Sequence, residues 1–455
     1  MDIIQIVSIA IFAITFFFVL TERIHRTVIG LAGAVAMIVF GIAFDFYEPY
    51  QALAAIDFNT LGLLLGMMVL VAILEDTGVF QYLGIWTAKK TRGNPWYLLL
   101  GMGALTSVLS MVLDNVTTII LIVPVTIIIA RVLDINPVPI LLAEAVLSNV
   151  GGTGTLIGDP PNIMIGSIAG FNFNDFLLHA FPIVVVVWIV TVFMMRWFFR
   201  KDLSKKPQAI EKLMAMNEKE AITESQVLKK TLAILVFTIF LFFFHGVLHL
   251  EASIVALIGA ALALLFVHPK NDPQPILQKI ELSVLLFFAA LFVIVGGLEH
   301  AGVLAIIAEH IAGGATDNIL LTALIVLWAS AIISALVDNI PMTVAMIPII
   351  AYLGSTGVDI GILWWALVFG VGFGGNGSPI GSTAGIIVTC KAEQTSNPIS
   401  FKRWLTVVTP TMFAGLVVSS IAITLFHYTG FVGGHYTDTI QAYTEEITEN
   451  EGVIP

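Results

Sequence analysis

The pair Asp114–Asn115 interrupts a long apolar stretch, and Asp338–Asn339 interrupts a matching stretch 224 residues later (338 − 114). The same offset superimposes LEDTGVF (74–80) on LEHAGVL (298–304) and Pro124 on Pro348. After a slip of one residue, GGTGTLIG (151–158) matches GGNGSPIG (374–381). A chain built this way is a duplication, and each copy carries a carboxylate–amide pair and a glycine-rich break inside hydrophobic surroundings. A helix facing lipid tolerates neither feature, because bilayer hydrocarbon leaves every freed backbone group and every charge without a partner.

Composition places the chain in a membrane. With 58% hydrophobic residues, 11% charged residues and a mean hydropathy of +0.99, 49.1 kDa of protein lacks the polar surface of a soluble globule. Apolar runs at 3–20, 28–44, 60–74, 176–195, 231–248, 253–267, 282–298 and 404–426 approach the roughly 20 residues that a spanning helix requires. The first run follows no basic residue and precedes no small-residue cleavage site, so it reads as a membrane helix and not as a signal. The single cysteine, Cys390, excludes an intrachain disulfide and any cysteine-based metal cluster. The net charge of −11 argues against nucleic acid as a partner.

The bases set an expected topology. Each half reads as three spans, a re-entrant hairpin carrying the Asp–Asn pair, one broken span and a final span. With the N-terminus outside, Arg23, Arg26, Lys89, Lys90, Arg92, Arg131, Arg196, Arg200 and Lys201 fall inside, as do the linker lysines and Lys270, Lys279, Lys391, Lys402 and Arg403. All 20 bases are then internal, while the acidic tail with Glu445, Glu446, Glu449 and Glu451 lies outside with the C-terminus. Five crossings per half put the two copies in opposite orientations, so the hairpin tips approach the midplane from opposite sides. The expected organisation is an N-terminal membrane repeat (1–202), a cytoplasmic linker with a short amphipathic helix (203–230), an inverted C-terminal repeat (231–428) and an external acidic tail (429–455). The fold class is all-α and polytopic, and the location an integral one in a prokaryotic inner membrane.

An ionised group within a bilayer is a functional candidate by default. Asp114 and Asp338 lead, with oxygens offered by Asn115, Thr117, Thr118, Asn339 and Thr343; the alternative is that they only cap the second helix of each hairpin. The breaks add Asn149, Thr153, Thr155, Asp159 and Asn162 in one copy and Asn376, Ser378, Ser382 and Thr383 in the other. Paired glycines and prolines unwind a helix there and expose carbonyls and amides, although such residues also make ordinary tight loops. Asp159 aligns with Ser382, so only one half supplies that charge. Glu144 shares a helical face with Ser148 leading into the first break and is a candidate for proton coupling. Glu75 and Glu299 read as span ends before Gly78 and Gly302, Glu281 as a start-of-helix charge beside Lys279, and His245 and His249 as edge residues despite metal-pair spacing.

The sequence places no Lys or Arg near either tip or either break. Na⁺ near Asp114 and Asp338, protons or neutral solutes fit that inventory more easily than a highly charged anion, and no organic cofactor is implied. No HExxH, GxGD or GxxxxGK[ST] motif is present, which argues against an intramembrane hydrolase and against direct ATP drive. A continuous channel fits two opposed hairpins less well than a gated central site does.

The LDN-bearing hairpins followed by SNVGGTGTLIGDPPN (148–162) resemble the ArsB/NhaD/P-protein group of the ion transporter superfamily, and the GGxxTxIGDPPN stretch is especially similar to that of the P permeases. The resemblance implies an elevator-type fold, commonly a homodimer, with early helices of each half as scaffold and hairpins with broken helices as the moving unit. It also implies Na⁺/H⁺ exchange, arsenite or antimonite efflux, or permeation of another small inorganic anion. A cation- or proton-coupled secondary transporter is the favoured expectation, and an arsenite or small-anion permease the alternative.

Overall fold

Apolar runs with no surviving polar face become helices because only a helix satisfies its own backbone in hydrocarbon. The computed structural model describes residues 2–21, 23–205, 207, 209–267, 272–304, 306, 318–355 and 358–431; Lys206, Lys270 and the acidic tail from 432 onward lie outside them. The first half contributes α1 (Ile3–Thr21), α2 (Arg26–Ala43), α3 (Phe58–Asp76), α4 (Val79–Lys90), α5 (Pro95–Ser110), α6 (Asn115–Leu133), α7 (Val138–Gly152), α8 (Pro160–Ala169) and α9 (Phe181–Phe198). The second contributes α10 (Ser225–Phe244), α11 (Ala252–Val267), α12 (Leu282–His300), α13 (Ile319–Ser334), α14 (Asn339–Ser355), α15 (Gly361–Gly374), α16 (Thr383–Glu393) and α17 (Thr409–Thr429). Seven stretches among the described residues are long and apolar enough to cross a membrane. Large apolar side chains such as Phe17, Phe193, Trp197, Val236, Phe240 and Tyr428 remain exposed around the outside, as a lipid-facing surface demands.

Helices at matching places in the two halves make matching contacts. α5 packs on α7 as α13 packs on α15, while α2 packs on α12 and α3 on α11 across the halves. The glycines leading into each break allow close backbone approach in two of these contacts. A Cβ on Gly151 would lie 2.5 Å from the Ser107 carbonyl oxygen, and one on Gly374 would lie 2.6 Å from Ala331 Cα.

Polar contacts fix the helix directions. Thr27 at the start of α2 donates to the Ser283 carbonyl at the start of α12 (2.8 Å), and Tyr47, just beyond the end of α2, donates to Val293 O further along α12 (3.0 Å). These two helices therefore run parallel. The Ser253 amide at the start of α11 donates to Asn59 at the start of α3 (2.9 Å), and further along Gly66 meets Ala256 and Leu70 meets Gly259, so that pair is parallel too. Lys279, just before α12, pairs with Glu75 and Asp76 at the end of α3. The start of α2 and the end of α3 thus share one basic face, and α11, which holds in the second half the place of α2, starts on the opposite face.

Residues 210–223 dock on that basic face. Thr223 donates its amide to Thr77 O (3.1 Å) and its hydroxyl to Asp76 O (2.6 Å), and Lys89 Nζ pairs with Glu218 at 2.6 Å. The helix formed there, Ile210–Ala215, has Leu213 buried against protein, packing on α6 and α4.

Gly374→Ala is expected to cost about 1–3 kcal/mol through overpacking, seen as a lower melting temperature in detergent. The Lys89 ammonium, by its hydrogen bond and charge, holds the Glu218 carboxyl below the ordinary glutamate value of 4.5. A depressed carboxyl stabilises the docked linker at neutral pH, and that contribution disappears as pH falls below 4.5 through the lowered value. Limited proteolysis should therefore cut within 203–230 faster in acid than at pH 7, and Glu218→Gln should remove the difference.

Candidate functional site

Each hairpin tip is a helix start whose first amides need acceptors. At the first tip Asp114 caps α6: Oδ1 accepts from Thr117 N at 2.8 Å and Oδ2 from the Thr117 hydroxyl at 2.7 Å. Its backbone sits at φ 98°, ψ 157°, a region reached with strain by any residue with a side chain. The capping alternative thus describes part of what Asp114 does. At the second tip Asp338 has no such φ and its Oδ2 instead meets Thr383 Oγ1 and Arg26 Nη1, both at 3.1 Å.

The neighbouring asparagines turn inward and meet the breaks. Asp159, buried at the head of α8, receives Asn115 Nδ2 on Oδ1 (3.3 Å) and Asn339 Nδ2 on both oxygens (3.3 and 3.1 Å). Asn115 Nδ2 also reaches Asn149 Oδ1 (3.0 Å), and Asn149 Nδ2 passes on to Asn376 Oδ1 (2.8 Å) and Ser382 Oγ (2.9 Å). Asn115, Asn149, Asp159, Asn339, Asn376 and Ser382 therefore form one buried network joining both tips to both breaks. Its single ionisable member is Asp159, whose carboxyl is met by two amides and, among the described residues, by no base.

Other sequence candidates shape the backbone around this network. Thr155 donates to Met111 O and Ser378 to Ala335 O, each at 2.5 Å, tying each break to the end of its hairpin's first helix. Asn162 donates to Gly152 O (3.1 Å) and Thr155 O (2.8 Å), and Thr153 to Asn149 O (2.8 Å). Thr343 donates to Asn339 O (2.8 Å), while the buried Thr118 hydroxyl has no hydrogen-bond partner. Glu144 is fully buried on α7; Oε1 accepts from Thr126 at 2.5 Å and Oε2 has no partner. It stands five residues before Asn149, roughly 7.5 Å along the helix axis.

Two cavities reach the tips from the basic face. One, of about 570 Å³, is lined by His25, Arg26, Phe287, Asp338, Pro341 and Thr383 among others. The second, of about 260 Å³, is lined by Glu75, Thr117, Ile120, Lys279 and Glu281. Glu281, at the N-cap of α12, makes no capping hydrogen bond. Burial pushes its carboxyl above the usual range, with the Arg26 charge opposing.

The expectation that no base approaches a tip is overturned by Arg26. It begins α2 and reads as an inner-loop base, but a long side chain at a helix start reaches across to a neighbouring element, and nothing in the local sequence marks that reach. The His245–His249 spacing holds no metal pair: His245 Nε2 accepts from Phe173 N (3.1 Å) and Nδ1 meets Leu250 O (3.0 Å).

Residues 16–370 match the protein family described as citrate transporter, CitMHS. The chain is 38% identical over 400 residues to a 46 kDa membrane protein of Mycobacterium leprae, covering 87% of this chain and 93% of that one. It is 30% identical over 501 residues to the human P protein, covering 92% of this chain and 60% of that protein. Among solved structures it is similar to the YdaH transporter of Alcanivorax borkumensis, with a TM-score of 0.58 at 14% identity over 86% of this chain and 90% of that one, a likeness of fold alone. The chain is thus a polytopic membrane transporter and not an enzyme, and it belongs to the citrate transporter family within the ArsB/NhaD/P-protein group.

Proposed function

We propose that the chain is a secondary active transporter coupled to a cation or proton, in which two repeats of opposite orientation alternate access to the Asp159 network. The carrying observation is that one buried carboxylate is held by amides from both hairpin tips. A carboxylate so placed exchanges its amide donors for a desolvated cation or a proton, and the exchange disturbs both tips at once. Opposite orientation is supported by α2 and α11, which start on opposite faces. An elevator movement is supported by the grouping of contacts: α2 with α12 and α3 with α11 form one interlocked set, while hairpins and breaks pack chiefly among themselves. Asp114 and Asp338 flank the network as sites for Na⁺ or a proton.

A second reading, a permease for a small anion, is favoured by Arg26 in the larger cavity and by the family's description as citrate transporter. The two separate in everted vesicles given NaCl, LiCl, arsenite or citrate while vesicle pH is followed. A response to Na⁺ or Li⁺ alone supports cation exchange; a response requiring arsenite or citrate supports the anion reading.

Asp159→Asn removes the acceptor charge while keeping its shape. Loss of charge-assisted hydrogen bonds worth about 1.5–3 kcal/mol should lower coupled flux roughly 10–100-fold, with normal membrane insertion. Unchanged flux would remove Asp159 from the site. Thr153→Ala, whose hydroxyl only bonds its own helix, should alter apparent affinity far less than Asn376→Ala, checked by concentration dependence of the same response.

A further inference from the structure

The mechanism above does not use Arg26, the one arginine at the tips among the described residues. Arg26 belongs to α2, which packs on α1 and α12, whereas Asp338 and Thr383 belong to the second hairpin and the second broken helix. Its Nη1 therefore ties two separate packing groups together, 3.1 Å from each partner, while its guanidinium lies 5.8 Å from the Phe287 ring centroid. The pair is only partly exposed, 29% for Arg26 and 14% for Asp338, at the wall of the larger cavity. Asp338 Oδ1 is buried and has no hydrogen-bond partner among the described residues.

The other tip is built differently. Asp114 has both oxygens satisfied by Thr117, and the residue that begins α11, in the place that Arg26 holds at the start of α2, is Ala252. The charged groups acting around Asp338 are Arg26 from α2 and Asp159 from the first break, with Glu281 at the start of α12 facing Arg26 in turn. Pulling Asp338 away from Arg26 with nothing in exchange would leave an uncompensated charge within the membrane, which is far costlier than keeping the pair.

We propose that Arg26 competes with the transported or coupling cation for Asp338, so that the empty carrier is latched open to the basic face and moves only when a cation takes the place of Arg26. This rests on the alternating-access reading above. It assigns to a scaffold arginine the task of preventing empty movement.

The test uses the full chain in inside-out vesicles with Cys390→Ser and Ile386→Cys, which places a single thiol in the larger cavity. Labelling by a membrane-impermeant maleimide added at the basic face reports that the cavity is open. Arg26→Gln and Asp338→Asn should each slow labelling at least several-fold, and NaCl but not choline chloride should slow it in the Arg26-containing protein. The exchange Arg26→Asp with Asp338→Arg should restore the original rate, which a general loss of structure would not do. Equal labelling rates in Arg26→Gln, Asp338→Asn and the parent would overturn the proposal. If Arg26→Gln fails to accumulate, Asp338→Asn and the charge exchange decide alone. Unchanged labelling with intact ion-driven flux removes the latch and leaves the transporter reading standing. Labelling that follows the charge pair while no tested ion moves protons removes cation coupling and leaves the latch.

Discussion

The arrangement depends on one electrostatic problem: a carboxyl, Asp159, lies buried with no base beside it among the described residues. Burial of a charge is tolerated only when hydrogen bonds replace the lost water, and here the replacements come from Asn115 and Asn339, one from each half of the chain. Neither half supplies both of these donors. The duplication therefore does more than double the number of helices: it supplies two donors to one acceptor. Sequence divergence at the other break, where Ser382 stands in place of the acid, avoids the second like charge that strict symmetry would bring to the same point.

Close packing supports that network. Ser107 and Ala331 press on Gly151 and Gly374 at the last turns before the breaks, and Thr155 and Ser378 then fasten the unwound segments to the preceding hairpin carbonyls. Freed backbone groups at the breaks are thus met from inside the protein, which is the condition for non-helical chain at membrane depth. The polar side chains at each break divide between this task and the network: Asn162 and Thr153 serve the backbone, while Asn149 and Asn376 carry the link between halves.

Much of this was legible. Asp–Asn pairs at a fixed offset and two glycine-rich breaks name the elements that meet, because polar residues between apolar runs have few other reasons to exist. The hydropathy likewise marks the helices. What sequence periodicity does not carry is the direction in which each hydroxyl or amide points, so Thr153 and Asn149 look equally eligible although one bonds its own helix and the other crosses to the second half. Nor does it carry reach. Arg26 lies at the edge of an apolar run and reads as an inner-loop base, yet a helix start in contact with another element's tip brings its guanidinium to Asp338. Its partner is 312 residues away, beyond any local pattern.

The two tips also differ in stored energy. Asp114 is held at φ 98°, ψ 157°, a conformation costing of the order of 1–3 kcal/mol for a residue with a side chain, while Asp338 has no positive φ. A matched pair of hairpins would give a cycle whose two end states are mirror equivalents. Here one hairpin is cocked and the other is not, so any rearrangement that lets Asp114 relax returns that energy on one side of the cycle only. By itself a difference of that size shifts the ratio of two conformers about 5- to 150-fold, so in the alternating-access cycle proposed above the resting orientation would depend on a single backbone torsion as well as on charge.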